Sequence, residues 1–211
     1  MADGKDLLKG FAAFVQAAYN GHNAPMPQLV AEGQNPDYMV ISCIDSRANP
    51  GTIFQAKPGT FFGHKAMGAI VRPYKKGTAL SATLQFAVKH NKVKTIVVLG
   101  HTGCGAIKAL IDKIDDDEIT SFIDVAQSSL TKARTLCCAK QDAPLDAQLQ
   151  RRTEEQIILQ SVENLKGYPA VKEALAAGQV EILPWLFCME EGMLYGYDPA
   201  RQAFTVKLGD F

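Results

Sequence analysis

The chain carries no charge excess: 22 Lys and Arg are matched by 22 Asp and Glu. That balance gives no electrostatic reason to bind nucleic acid or an anionic membrane. No uninterrupted apolar run is long enough to span a bilayer. The first residues include Asp3 and Asp6 and lack a continuous apolar stretch before a cleavage site, so no secretory signal is expected. Cysteines are few and odd in number, at positions 43, 104, 137, 138 and 188, without the spacing of a disulfide framework. They suit a reducing, cytoplasmic setting in which thiols are free or bound to metal. Internal repeats, low-complexity stretches and a domain boundary are also missing. What remains is a 211-residue chain that is 47% apolar, enough for one globular domain over residues 1–211 with a sizeable core.

Periodicity places the elements. Leu7, Leu8, Phe11, Phe14, Val15, Ala18 and Tyr19 recur at helical spacing, so residues 4–19 read as an amphipathic helix that Asn20-Gly21 ends, leaving 1–21 as a helical arm. The stretch to residue 37, with Pro25, Pro27 and Pro36, reads as a loop. Tyr38–Ile44 and Lys94–Leu99 read as buried strands, and Phe61-Phe62 as a strand between them. Helices are expected near 78–90, 104–113, 119–139, 150–165 and 168–177, the last stopped by Gly178. Val180–Phe187, Met193–Asp198 and Ala203–Leu208 complete the strands. Alternating strands and helices predict an α/β fold whose sheet is mainly parallel and flanked by helices, with antiparallel strands added at the C-terminal end.

In such a sheet, ligand sites gather beyond the carboxyl ends of the strands. One strong strand ends in Cys43-Ile-Asp45-Ser-Arg47; another ends in Gly100-His101, with Cys104 opening the next helix. If the two strands are neighbours, Cys43, His101 and Cys104 converge. A Cys2His set suits zinc and leaves a fourth position for water. The helix N-terminus favours the Cys104 thiolate, and Gly103 and Gly105 would let the backbone turn around the ion. The alternative is that the cysteines are small core hydrophobes and His101 a helix cap. Asp45 and Arg47, two apart on a short extended stretch, would point the same way. They form either a surface ion pair or a carboxylate held beside a metal, where it could orient bound water.

Cys43-Ile-Asp45-Ser46-Arg47, Phe54, Pro58-Gly59, Phe62 and Val97-Val98-Leu-Gly100-His101-Thr-Gly103-Cys104-Gly105 closely resemble the β-class carbonic anhydrases. The resemblance is strong over residues 34–112 and weaker elsewhere. It implies one Zn2+ per chain on Cys43, His101 and Cys104, with Asp45 and Arg47 as the catalytic dyad. It implies reversible hydration of CO2 to bicarbonate and a proton through zinc-bound hydroxide. It puts Gln34, Phe62, Phe86 and Gly103 around the substrate, with Gln34 coming from a neighbouring subunit and the apolar pocket lying at a dimer interface. It implies a homodimer or a multiple of dimers, with the N-terminal helix packed on the partner or on its own subunit.

This chain departs from the family pattern in Lys65-Ala66-Met67-Gly68-Ala69, where many members carry Arg-Asn-x-x-Asn, and in Phe86, where plant-type members carry tyrosine. The pocket is therefore more apolar than usual, which keeps open a zinc hydrolase for COS or CS2. A non-catalytic, zinc-stabilised protein is a third reading, against which the Asp45–Arg47 pair counts. Some bacterial members bind bicarbonate at a regulatory site built on a tryptophan and an arginine. Val40 and Lys65 stand there instead, so an open site with Asp45 off the metal is expected. Cys137, Cys138, Cys188 and Trp185 read as core, and His22 and His90 as solvated. His64 is either a proton shuttle or a structural histidine.

Overall fold

A computed structural model describes residues 4–137 and 145–207 of the chain. The elements run α1 (Lys5–Ala18), α2 (Pro25–Glu32), β1 (Tyr38–Cys43), α3 (Pro50–Ile53), β2 (Phe61–Ala66), α4 (Ala79–Leu84), β3 (Thr95–His101) and α5 (Gly105–Asp112). Then come α6 (Asp117–Ile123), α7 (Gln127–Cys137), α8 (Leu145–Lys166), α9 (Pro169–Ala176), β4 (Glu181–Cys188), β5 (Met193–Asp198) and β6 (Ala203–Val206). The six strands form one sheet in the order β2-β1-β3-β4-β5-β6. β2, β1, β3 and β4 are parallel; β5 and β6 are added antiparallel, as the sequence leads one to expect.

Strand alternation divides the core. Met39, Ile41, Ile96, Val98 and Leu186 pack with α4, α8 and α9 residues such as Leu84, Ile158, Leu165 and Val171. Val40, Val97 and Leu99 point to a thinner layer with Phe54, Phe61, Leu183, Trp185 and Phe187. β3 lies centrally and is buried along its whole length, which explains its continuous β-branched run. A third cluster lies around Cys43 and Cys104, with Ile107 and Leu110 of α5, Leu130 of α7 and Ile157 of α8.

Several elements differ from the sequence reading. Residues 25–32 form α2 rather than a loop, because Pro25 sits at the first helical position, where the missing N–H is no loss. β2 extends to Ala66, since pairing with β1 overrides the weak strand preference of Gly63-His64-Lys65. The expected 78–90 helix changes at Gln85 into a π-helical turn to His90, with Asn91 N donating to the Phe86 carbonyl at 3.0 Å. The 119–139 helix is broken into α6, a 3-10 turn over Asp124–Ala126 and α7; residues 138 and 139 lie outside the described residues, as does Leu208. α8 starts earlier than expected, at Leu145. Trp185 is half-buried rather than core, set edge-on to Phe54. Cys188 is buried, while Cys138 falls outside the described residues. No helix among the described residues is long and apolar enough to cross a membrane.

Candidate metal centre and active site

β1 and β3 are parallel neighbours, with Ser42 paired to Leu99, so Cys43 and His101 leave the sheet at the same edge. Cys104 is the N-cap residue of α5. Gly103 makes the connection, at φ +63°, a conformation that costs other residues strain. Gly105 has no such φ, so of the two glycines only Gly103 is needed for the turn. Gly100 has a different role: a Cβ there would stand 2.5 Å from Cδ1 of Ile158, so its lack of a side chain lets α8 pack against β3.

The ligand atoms of Cys43, His101 and Cys104 all lie within 4.8 Å of one another, and all three residues are buried. Tetrahedral zinc with S and N ligands would want them roughly 3.5–3.8 Å apart. The donor set passes a sharper test at His101. Its Nδ1 lies 2.9 Å from the Thr102 carbonyl oxygen. A carbonyl only accepts, so Nδ1 carries the proton and Nε2 is the bare nitrogen. Nε2 is buried and has no hydrogen-bond partner. A buried, unpartnered acceptor is costly, and a metal ion would satisfy it.

The thiols fit the same reading. Cys43 Sγ accepts from the Asp45 N–H at 3.4 Å and the Gly68 N–H at 3.3 Å. Hydrogen bonding from Cys104 and then from the Asp45 N–H lowers the Cys43 thiol against the opposing effect of burial. Cys104 is pushed up, first by the thiolate of Cys43 beside it and then by burial. Two adjacent thiolates resist each other, and a dication between them would relieve that. The loop that departs from the family pattern thus contributes a backbone N–H, at Gly68, to the Cys43 sulfur.

Asp45 is not on an extended stretch. It caps a 3-10 turn over Ser46–Ala48, and that turn brings Arg47 back onto it. Oδ1 accepts from Arg47 N at 2.9 Å and Nε at 3.1 Å, and Oδ2 accepts from Nη2 at 2.8 Å. Arg47 holds the carboxyl well below the usual carboxylate range. The guanidinium also reaches the Gly103 carbonyl at 3.4 Å, so it ties the β1 end to the β3 end. Asp45 Oδ2 stands 3.9 Å from His101 Nε2.

Gln34, Phe62 and Phe86 are not brought to this cluster within the chain. Gln34 is exposed and precedes β1, at the opposite end from Cys43. Phe62 pairs with Met39, four positions before the Cys43–Ala66 pair, or about 13 Å along the strand. Phe86 is 54% exposed and edge-on to Phe62 at 5.7 Å. His64 is half-buried, two positions before Ala66, with its pKa lowered by burial. His22 and His90 are exposed.

Two further residues stand behind the cluster. Glu154 of α8 is buried and accepts from Cys104 N at 2.9 Å and Gln150 Nε2 at 3.1 Å. Burial pushes it up to about 7. Glu190, between β4 and β5, accepts from Thr102 Oγ1 at 2.5 Å. Neither was legible in the sequence. Arg151-Arg152-Thr153-Glu154-Glu155 has the charge pattern of a solvated helix face, and nothing local marks Glu190 as a partner of Thr102.

A family model described as carbonic anhydrase matches residues 38–194. The chain is 33% identical over 180 residues to beta carbonic anhydrase 5, chloroplastic, of Arabidopsis thaliana, covering 84% of this chain but 59% of that protein's length. It is 30% identical over 202 residues to a carbonic anhydrase of Pseudomonas aeruginosa, covering 95% of this chain and 90% of that one. Among solved structures, a tetrameric β-carbonic anhydrase of Sordaria macrospora superposes with a TM-score of 0.81 at 25% identity, over 95% of this chain and 98% of that one. The β-carbonic anhydrase CcaA has the same fold, with a TM-score of 0.82 at 24% identity over 98% and 93% of the two chains. Since the family model covers most of the described sheet and both strand ends that carry the Cys-His-Cys cluster, the chain belongs to the β-carbonic anhydrase family.

Proposed function

We propose that the chain is a carbonate dehydratase, hydrating CO2 reversibly to bicarbonate and a proton. The observation that carries this reading is the buried Cys43–His101–Cys104 cluster, with an unpartnered Nε2, next to a carboxylate clamped by arginine. Cys43, His101 and Cys104 would hold one zinc per chain. When bound, zinc supplies Lewis-acid activation of water at near-neutral pH.

The role of Asp45 follows from its lone pairs. Oδ1 already accepts two hydrogen bonds from Arg47, whereas Oδ2 accepts one and is the oxygen nearer His101. An ionised carboxylate is acceptor-only, with about two sites per oxygen. Oδ2 is therefore the atom left to accept a hydrogen bond from a water beside the Cys43–His101–Cys104 cluster and so orient it. Arg47 acts through Asp45, keeping it ionised and aimed. Gly103 offers a side-chain-free surface at the rim.

CO2 is apolar and needs an apolar wall. Phe62 lies too far back on β2 to line this cluster, Phe86 of the π-helical turn stacks edge-on to it, and Gln34 precedes the same end of β1. These three would serve a neighbouring chain's site, which makes the working unit a homodimer or a multiple of dimers. The exposed apolar face of α1, in the 1–21 arm of the single domain, would pack on the partner. A cytoplasmic location fits the unpaired thiols of Cys43, Cys104 and Cys188.

The test is stopped-flow CO2 hydration by the purified protein before chelation, after it, and after zinc is returned. Activity should vanish with the chelator and recover with zinc. If CO2 hydration stays at the buffer background while COS or CS2 turns over, the related hydrolase reading replaces this one. Zinc binding without any turnover would leave a zinc-stabilised protein.

A further inference from the structure

The turn between β4 and β5 reaches the ligand loop at Thr102, a residue between two of the cluster's members. Thr102 is buried and tied at every polar atom. Its N–H donates to the Phe187 carbonyl at 3.0 Å, extending the β3–β4 ladder one residue past the last pair, His101 with Phe187. Its hydroxyl donates to Glu190 Oε2 at 2.5 Å and accepts from the Met189 N–H at 2.9 Å. Its carbonyl accepts from His101 Nδ1 at 2.9 Å. Three of these contacts come from one side, the end of β4 and the turn after it. The fourth faces the imidazole.

We propose that the β4–β5 turn is the outer half of the metal centre, with Glu190 and Thr102 acting as positioning residues for His101. The proposal rests on reading Cys43, His101 and Cys104 as zinc ligands. The physical argument is one of tautomer and direction. A metal needs the bare Nε2 held at a set angle, and a partner on the other ring nitrogen provides both. Here that partner is a carbonyl on the same chain segment, which is fixed only because its own residue is fixed. If the hydroxyl anchors are removed, the Thr102 peptide can rotate. The imidazole then loses the acceptor that pins Nδ1–H and with it the aim of Nε2. Glu190 also lies beside the loop: a Cβ on Gly103 would stand 3.7 Å from its Oε1.

The experiment compares the wild type with Thr102→Val, Thr102→Ser and Glu190→Ala. It measures zinc affinity by chelator competition, the visible spectrum with cobalt(II) in place of zinc, and the melting temperature. Thr102→Val should weaken zinc binding about 10- to 100-fold, the usual effect of losing an outer partner, and shift the cobalt bands. Thr102→Ser keeps the hydroxyl and should restore both to wild type. Glu190→Ala should move both in the same direction but less, because Met189 N–H still holds the hydroxyl. A purely structural turn would lower the melting temperature in Thr102→Val and Glu190→Ala while zinc affinity and cobalt bands stay at wild-type values, and that result overturns the proposal. If Thr102→Val fails to fold, Glu190→Ala, a change at an exposed residue, decides by the same two readouts. A wild-type protein that binds no zinc would instead sink the ligand assignment itself, a separate and recognisable failure.

Discussion

Polar atoms are buried at the carboxyl ends of β1 and β3, while apolar side chains stand in water along α1. His101 is 1% exposed and Cys104 2%, whereas Leu7 is 82%, Leu8 67% and Phe11 62% exposed. The first region is complete within one chain. Cys43 has two backbone donors, Asp45 has three from Arg47, His101 has Thr102, and Cys104 has Glu154. The second region is an amphipathic helix whose Leu7, Leu8 and Phe11 are left exposed by the described residues, the surface proposed above to pack on a partner. The contrast teaches that the donor set lies within one chain, while the proposed apolar wall and the proposed packing of the arm each rest on a second one.

The largest expected effect tests the first region directly. Cys104→Ala should reduce bound zinc from one per chain to nearly none, as metal analysis would show. Full occupancy in that variant would remove Cys104 from the ligand set.

Asp45→Asn comes next. The amide replaces one acceptor oxygen with a donor, so turnover should fall by about 10²-fold or more at unchanged zinc content. The pH dependence follows from the depressed pKa of Asp45. Its ionised form is the one favoured by folding, so its stabilising effect is present above the unfolded value near 3.9 and is lost only as pH falls through the lower folded value. The acid limb of activity near neutrality should therefore not belong to Asp45. An acid limb that stays in place in Arg47→Ala, where Asp45 loses the partner that depresses it, would support this, and a limb that moves to higher pH would assign it to Asp45.

Glu154 gives an intermediate effect of opposite sign. Its folded pKa is raised from 4.5 to about 7 by burial. Between those values the unfolded chain has released a proton that the native state keeps, so stability falls as pH rises. The shift corresponds to about 3 kcal/mol across that window. Urea midpoints of the metal-free protein at pH 5 and pH 7 should show this loss in wild type and much less of it in Glu154→Gln. Equal slopes would mean that Glu154 is not the group responsible.

The smallest effect sharpens the other side of the comparison. Phe11→Asp on the exposed face of α1 should weaken self-association roughly 10- to 100-fold, the worth of one apolar side chain at an interface. Sedimentation across a concentration series would read it. Unchanged assembly would show that the arm covers something else.

The ligand ends and the arm were legible because their signals are local. A β-branched run that ends in Cys43 or His101, a CxDxR stretch, an HxxCG stretch and the 3.6-residue period of 7–19 each report on a few neighbouring residues. Even so, adjacency of β1 and β3 was conditional until the register paired Ser42 with Leu99. α2 could have been read from Pro25 at a helix start, but the second and third prolines argued for a loop. The rest depends on contacts between distant segments, where sequence spacing carries no distance. A polar helix turn places Glu154 against Cys104, 50 residues away, and a surface turn brings Glu190 onto Thr102, 88 residues away. Sequence by itself determined which atoms can bind a metal and which face of each element is apolar, because side-chain chemistry and local period are properties of the chain. Only the tertiary structure decided which His101 nitrogen is bare, which Asp45 oxygen is available, and that Phe62 and Phe86 lie away from their own cluster. Those depend on where the Thr102 carbonyl, the Arg47 guanidinium and the β2 register come to rest once the sheet has formed.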